Sequence, residues 1–257
     1  MGMRGSESPT PTSDRPRPSG HPGGFASTQW SVVLSAAESD PENAQAALET
    51  LCRTYWQPLY SYVRRSGSSR EDAQDLVQGF FAGFLAGNAI AEVRRERGRF
   101  RSFLLACLKH HILDERKRHR ALKRGGGAVH LPLEWEKAEA RYQHEAATAA
   151  SAERLFDREW AITLIERVLT QLRSEWEREG KGVPFEVLSD FLSMSRTAIP
   201  YERVAAALNV PAGTARVVVH RLRKRYRALL RREVAATLLP GESLEEEMRA
   251  LMDALIH

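Results

Sequence analysis

"PYERVAAALNVPAGTARVVVHRLRKRYRALL", residues Pro200–Leu230, places two apolar runs on either side of a short turn. Val204, Ala205 and Leu208 fall at helical spacing and form the inner face of the first run. Ala205 is small, as suits a close approach of two helices. Asn209-Val210-Pro211-Ala212-Gly213 reads as the turn, with Val210 sealing its corner. In the second run Val217 or Val218, Leu222, Tyr226 and Leu229 face a core. Arg216, His220, Arg223 and Arg227, at steps of four, three and four, share one exposed stripe. This is the spacing of a helix-turn-helix, whose second helix lies in the major groove of DNA. On that reading Arg216 and His220 meet base edges. Arg221, Arg223, Lys224 and Arg227 grip phosphates. Thr214, close to the start of the second helix, caps it or meets a phosphate.

Charge is unevenly spread around this stretch. The chain has 257 residues and a net charge of +5. Arg203–Arg232 carries nine Arg/Lys and no acid, and Arg94–Arg124 carries twelve against Glu96, Asp114 and Glu115. Two separated basic blocks on patterned helices point to two contacts with a polyanion, most simply nucleic acid. Cys52 and Cys107 form no metal-ligand spacing and read as thiols in a reducing cytoplasm. No apolar run is long enough to cross a membrane, and the N-terminus has no apolar signal core. There is no P-loop, no Gly-x-Ser-x-Gly and no His-Glu-x-x-His, and His110-His111 lack companion ligands. No catalytic residue, cofactor or metal is expected, and the chain does not read as an enzyme.

Outward from the helix pair, apolar residues recur every three or four positions and nowhere alternate as in strands. The fold expected is all-α, with two helical domains joined by a flexible connector. Residues 1–27, rich in Pro, Gly, Ser and Thr, read as disordered. Residues 28–125 form the first domain, with Thr28 as its N-cap. Pro58 kinks or splits one of its helices. Its last helix, Arg99–Arg124, turns Phe100, Phe103, Leu104, Cys107, Leu108, Ile112 and Leu113 inward. Gly125-Gly126-Gly127 ends it. Residues 126–152 are the connector, with some helix potential. Residues 153–237 carry the stripe Phe156, Trp160, Leu164, Val168, Leu172 and Trp176, then a glycine stop at Gly180 and the helix-turn-helix. Residues 238–257 read as an acidic amphipathic tail helix.

The two halves together carry a more specific signal. "EDAQDLVQGFFAGFLAG" supplies Asp72, Ala73, Asp75, Leu76 and Gln78. The helix pair supplies Glu202, Ala205, Leu208, Gly213, Thr214, His220, Arg221 and Arg223. In this order, with a polar segment between, they resemble the sigma-70 family of RNA polymerase sigma factors. The nearer likeness is to the extracytoplasmic-function class, which keeps only regions 2 and 4. The present chain looks like a variant with an extended linker and a C-terminal tail. The resemblance implies a factor that binds core RNA polymerase and directs promoter recognition at the start of transcription. It implies that region 4 reads minus 35 DNA and that region 2 opens minus 10 DNA. It also implies that Asp72, Asp75 and Gln78 form a hydrogen-bonding edge for the coiled coil of the polymerase clamp.

The Arg99–Arg124 helix would then capture an unpaired strand. Phe100 is its candidate for base stacking, and Arg101, Lys109, His110 and Lys117 its polar contacts. Base–aromatic stacking is worth about 1–3 kcal/mol per base. Where many members have Asn-x-x-x-Asp-x-x-Arg, this helix has His110, Asp114 and Lys117, so its minus 10 contacts differ from theirs. Promoter DNA and core polymerase are the expected partners, in the cytoplasm. The class commonly pairs with an anti-sigma protein, which makes such a regulator a candidate partner. The alternative is a stand-alone helix-turn-helix regulator. It would account for Asn209–Tyr226 but leave "EDAQDLVQGFF" and the first basic helix without a task.

Overall fold

The computed structural model describes residues 41–86, 99–121, 133–145, 151–180, 185–195, 197–238 and 241–256. Among them are nine α-helices, one 3-10 turn and no strand, the all-α architecture expected. The expected disordered segment 1–27, the Thr28 cap and Gly125–Gly127 lie outside the described residues.

Helix α1 (Pro41–Arg65) runs unbroken past Pro58. The split expected there does not occur, and Pro58 is itself buried. Helix α2 (Arg70–Ala86) begins where the Ser69 hydroxyl accepts from the Asp72 N–H at 3.0 Å. This is an N-cap that satisfies one of the free donors of the first turn. Helix α3 (Phe100–Ala121) packs back on α1 and α2. Tyr55 meets Phe100 edge-on with centroids 5.3 Å apart, and Tyr55, Leu59, Tyr60, Phe81, Phe100, Leu104 and Leu108 are almost fully enclosed. Leu113 departs from expectation and is 52% exposed. At about 100° per residue it lies about 220° round the helix from Phe100, on the side away from the core.

The connector expected at 126–152 is corrected over part of its length. Trp135–Glu145 is a helix, α4, docked on α1. Trp135 packs edge-on against Trp56 at 5.2 Å. Glu139 is buried, accepts from the Tyr60 hydroxyl at 2.5 Å and pairs with the Arg64 guanidinium at 2.7 and 2.9 Å. The carboxyl of Glu139 is thereby held down at about 2, chiefly by Arg64. Burial and this acceptor push the Tyr60 hydroxyl up.

Helix α5 (Ala152–Arg178) is capped by Ser151 and stopped by Gly180 at φ 62°. Its buried Phe156, Trp160, Leu164, Val168, Leu172 and Trp176 recur every four residues. Each step of four overshoots a full circle by about 40°. The apolar stripe therefore winds around the helix, and one helix can serve several neighbours. It does: α5 packs on α1, on α8 (Ala212–Ala235) and on the tail helix α9 (Leu244–Ile256). The intervening segment is a short helix α6 (Glu186–Ser189), a 3-10 turn at Asp190–Leu192, and α7 (Tyr201–Leu208). Buried side chains from α1 to α9 form one connected hydrophobic cluster. Among the described residues, then, both halves of the chain hang on α5.

Candidate nucleic-acid and polymerase interfaces

Asn209 closes α7 in the left-handed region at φ 51°, with its N–H bonded to Ala206 O at 3.2 Å. Val210 N–H bonds back to Ala205 O at 3.0 Å, and its side chain packs on the core. Pro211 then starts α8, where its fixed φ and missing N–H cost nothing. The turn is therefore Asn209-Val210-Pro211, and Ala212 and Gly213 already belong to α8. Thr214 is exposed in the first turn and makes no cap, since Pro211 occupies that position without a side-chain bond. The inward residues of α8 are Ala215, Val219, Leu222, Leu229, Leu230 and Val234. Val217, one of the two expected there, is 47% exposed; Val219 takes the place, one helical turn beyond Ala215.

The predicted basic stripe is brought together. Arg216, His220, Arg223 and Arg227 line a single shallow depression of about 280 Å³ with Tyr201 and Val219. The Arg216 guanidinium lies 5.2 Å from the centroid of the Tyr201 ring, which links α7 to α8 and aims the arginine. One guanidinium nitrogen of Arg223, Nη1, is enclosed without a hydrogen-bond partner among the described residues. Arg221 and Lys224 are exposed beside the stripe. The back of α8 is fastened instead. Arg225 makes two bonds of 2.7 Å to Glu175 on α5, and Arg232 bonds Gln171 at 2.5 Å. Arg225 holds the Glu175 carboxyl down at about 2. Arg225 was no candidate from spacing, and only its partner on a distant helix gives it a positioning role.

The first basic helix differs. Phe100 is 2% exposed in the core, so the expected base-stacking role is corrected: its ring faces Tyr55. Arg101 is covered in this arrangement. It is 5% exposed, with Nε 3.0 Å from Asp157 Oδ1, Nη1 bonded to Glu247 Oε1, and its guanidinium 4.4 Å from the Trp160 centroid. Arg99 reaches the same Glu247 at 3.2 Å. Lys109 lies over Tyr62 and pairs with Glu153 at 2.8 Å, so it is half-covered. His110 and Lys117 face outward as expected, with Leu113 between them on the same stripe. His111 packs inward beside Phe80, and burial lowers its pKa.

On α2, Asp72 and Asp75 are exposed. Gln78 is not: only 9% of it is accessible. Steps of three fall about 60° short of a full circle, so two steps carry Gln78 about 120° round, next to buried Phe81. The acidic edge consists of Asp72 and Asp75 alone.

Residues 51–122 match the Sigma-70 region 2 family. The match takes in α1 from Leu51, all of α2 and all of α3, including the acidic edge and the first basic helix. No curated relative and no solved structure matches the chain. The sigma-70 region 2 segment ends ahead of α4, so α4 to α9 rest on their own geometry. No helix of the described residues is long and apolar enough to cross a membrane.

Proposed function

We propose that this protein is a sigma factor of the extracytoplasmic-function type, with α4 and α9 as additions. It binds core RNA polymerase through Asp72 and Asp75, holds upstream promoter DNA with α8, and takes the opened strand along the His110–Leu113–Lys117 stripe of α3. The observation that carries the reading is the sigma-70 region 2 match over residues 51–122. Support for the second contact comes from the basic stripe after a left-handed turn, with the opposite face of α8 fastened to α5. Arg216 and His220, at the N-terminal end of that stripe, meet base edges; Arg221, Arg223, Lys224 and Arg227 meet phosphates. Thr214 lies where a phosphate approaches the start of α8.

The reading requires a conformational step. A compact chain of this length has a radius of gyration of about 18 Å. Elements centred near minus 10 and minus 35 lie about 25 base pairs apart, or roughly 85 Å at 3.4 Å per pair. The shared core around α5 cannot reach both, so the halves separate on the polymerase.

The test is core binding and run-off transcription. The purified chain is expected to co-migrate with core polymerase and to start transcripts from a randomised promoter library. Asp75→Arg is expected to abolish both. Sequence-specific duplex binding without any association with core would favour the stand-alone regulator instead.

A further inference from the structure

The acidic tail helix has no task in the reading above, yet it makes an ion pair with α3 in which both side chains are enclosed. Of the three consecutive glutamates opening α9, Glu245 pairs at the surface with Arg231 on α8 at 2.7 Å. Glu246 faces solvent. Glu247 alone is buried, and its two carboxylate oxygens are divided between Arg99 and Arg101. Those two arginines flank the start of α3, whose next exposed Arg and Lys side chains are Arg116 and Lys117. Two guanidinium groups converging on two oxygens of one anion is the arrangement with which arginines hold a phosphodiester.

The rest of the site is prepared without the tail. Asp157 takes the Arg101 Nε, and the Trp160 indole supports the flat of its guanidinium. Arg101 would keep its aim if Glu247 left. Glu247 and Leu251 are the buried residues of α9, with Leu244, Met248, Ala254 and Leu255 packed partly buried beside them, while Met252 and Ile256 stay 49% and 73% exposed. An enclosed ion pair is a weak source of stability, because desolvation offsets most of its attraction. Its better-attested use is to specify one arrangement over another.

We propose that Arg99 and Arg101 form a DNA-phosphate site and that the C-terminal helix holds it shut, with the Glu247 carboxylate standing in for the phosphate. Arg101 lies about 160–180° round α3 from His110 and Lys117, so the site is a second DNA contact on the side of the helix that faces α5. The helix α9 is displaced when a DNA strand enters, and with it goes the Glu245–Arg231 tie to α8. This rests on the reading of α3 as a DNA-facing helix.

Hydrogen exchange on the full chain tests the displacement without any substitution. Amides of residues 244–256 are expected to lose protection when a single-stranded oligonucleotide binds; unchanged protection at saturating oligonucleotide would overturn the proposal. Glu247→Gln tests the competition. It is expected to bind the same oligonucleotide about tenfold more tightly. Glu246→Gln, at the solvent-facing neighbour, removes the same charge from the tail without touching Arg99 or Arg101, and is expected to melt and bind as the parent does. An E247Q protein that melts normally and binds no better sinks the idea. Core binding is followed in parallel. A gain in oligonucleotide affinity with no core association leaves the phosphate site standing and removes the sigma reading. Core association with no change in affinity does the reverse.

Discussion

Helices α3 and α8 are both long, both strongly basic and both packed on their apolar side, yet their cations are in opposite states. On α3 the first-turn arginine is consumed by Glu247 and Asp157, and Lys109 by Glu153 and Tyr62. Even Lys117 and Arg118 have acids three residues back on their own helix. On α8 the pairing is confined to the back, at Arg225, Arg231 and Arg232, and Arg221, Lys224 and Arg227 make no ion pair with a described residue. Composition alone would treat the two helices as equivalent polyanion sites. Their availability depends on which acids the rest of the chain places opposite them. As the chain stands here, the stripe of α8 is open, while the first turn of α3 is closed and His110, Arg116 and Lys117 stay exposed.

The largest expected effect comes from removing the largest fully buried side chain of the shared core. Trp160 is fully buried between the halves and carries Arg101 on its face. Trp160→Ala is expected to cost about 3–5 kcal/mol in chemical unfolding. Because α1, α5 and α8 share one cluster, parent and variant should both unfold in a single transition. Two separated transitions in the parent would show that the halves are independent, and that the contrast between α3 and α8 is not set by their common core.

A second test uses pH, because cations of the first half are held by carboxylates. Glu139, gripping Arg64, has its pKa depressed to about 2 from an ordinary value near 4.5. Between those values the unfolded chain binds more protons than the folded one, so stability rises with pH across that window. The contribution is complete above about 4.5 and is lost as pH approaches 2. At most it amounts to about 3 kcal/mol. Glu139→Gln should remove this part of the acid sensitivity, read as a flatter plot of unfolding free energy below pH 4.5. An unchanged slope would mean that α4 does not hold Arg64 in solution.

The third test compares the helices directly in DNA binding. Arg216→Ala is expected to weaken duplex binding by about 1–3 kcal/mol and to relax preference at one position if the contact is to a base. Arg227→Ala is expected to weaken all sequences alike and to lower the salt slope by about one. In the intact chain Arg101→Ala should change duplex affinity far less than either, since α9 covers that side chain. Equal losses at Arg101 and Arg216 would erase the contrast between closed and open helices.

How much of this was legible in the sequence follows the range of each interaction. Helical periodicity is local, so the all-α fold, the helix pair and the α8 stripe could be read from spacing. The glycine stop at Gly180 was equally local. What spacing cannot supply is the partner of a charged residue. Phe100 and Arg101 carry the right chemistry for DNA, but Phe100 faces Tyr55 and Arg101 faces a carboxylate 146 positions away. Leu113, Gln78 and Val217 failed for another reason. Steps of three or four drift around a helix, and after two or three steps the drift decides which face a residue takes. The connector showed some helix potential, but not its docking, because Trp135 packs on Trp56 and Tyr60 of a helix far earlier in the chain.

The smallest expected effect lies at the turn that aims α8. Asn209 is the only non-glycine residue with positive φ among the described residues. A left-handed conformation costs an ordinary residue about 1–2 kcal/mol, less for asparagine and nothing for glycine. Asn209→Ala is therefore expected to destabilise by roughly 1 kcal/mol, and Asn209→Gly to be neutral or slightly stabilising. Neither touches DNA. If the turn serves only to place α8, both variants should bind duplex with the parent's affinity at temperatures where they are folded. The fastening of Arg225 to Glu175 supports that outcome, because it holds the helix from the far side. A loss of affinity in the alanine variant alone, without unfolding, would show that the angle between α7 and α8 tunes the exposed stripe. The openness of α8 would then depend on a local turn as well as on the absence of acids around it.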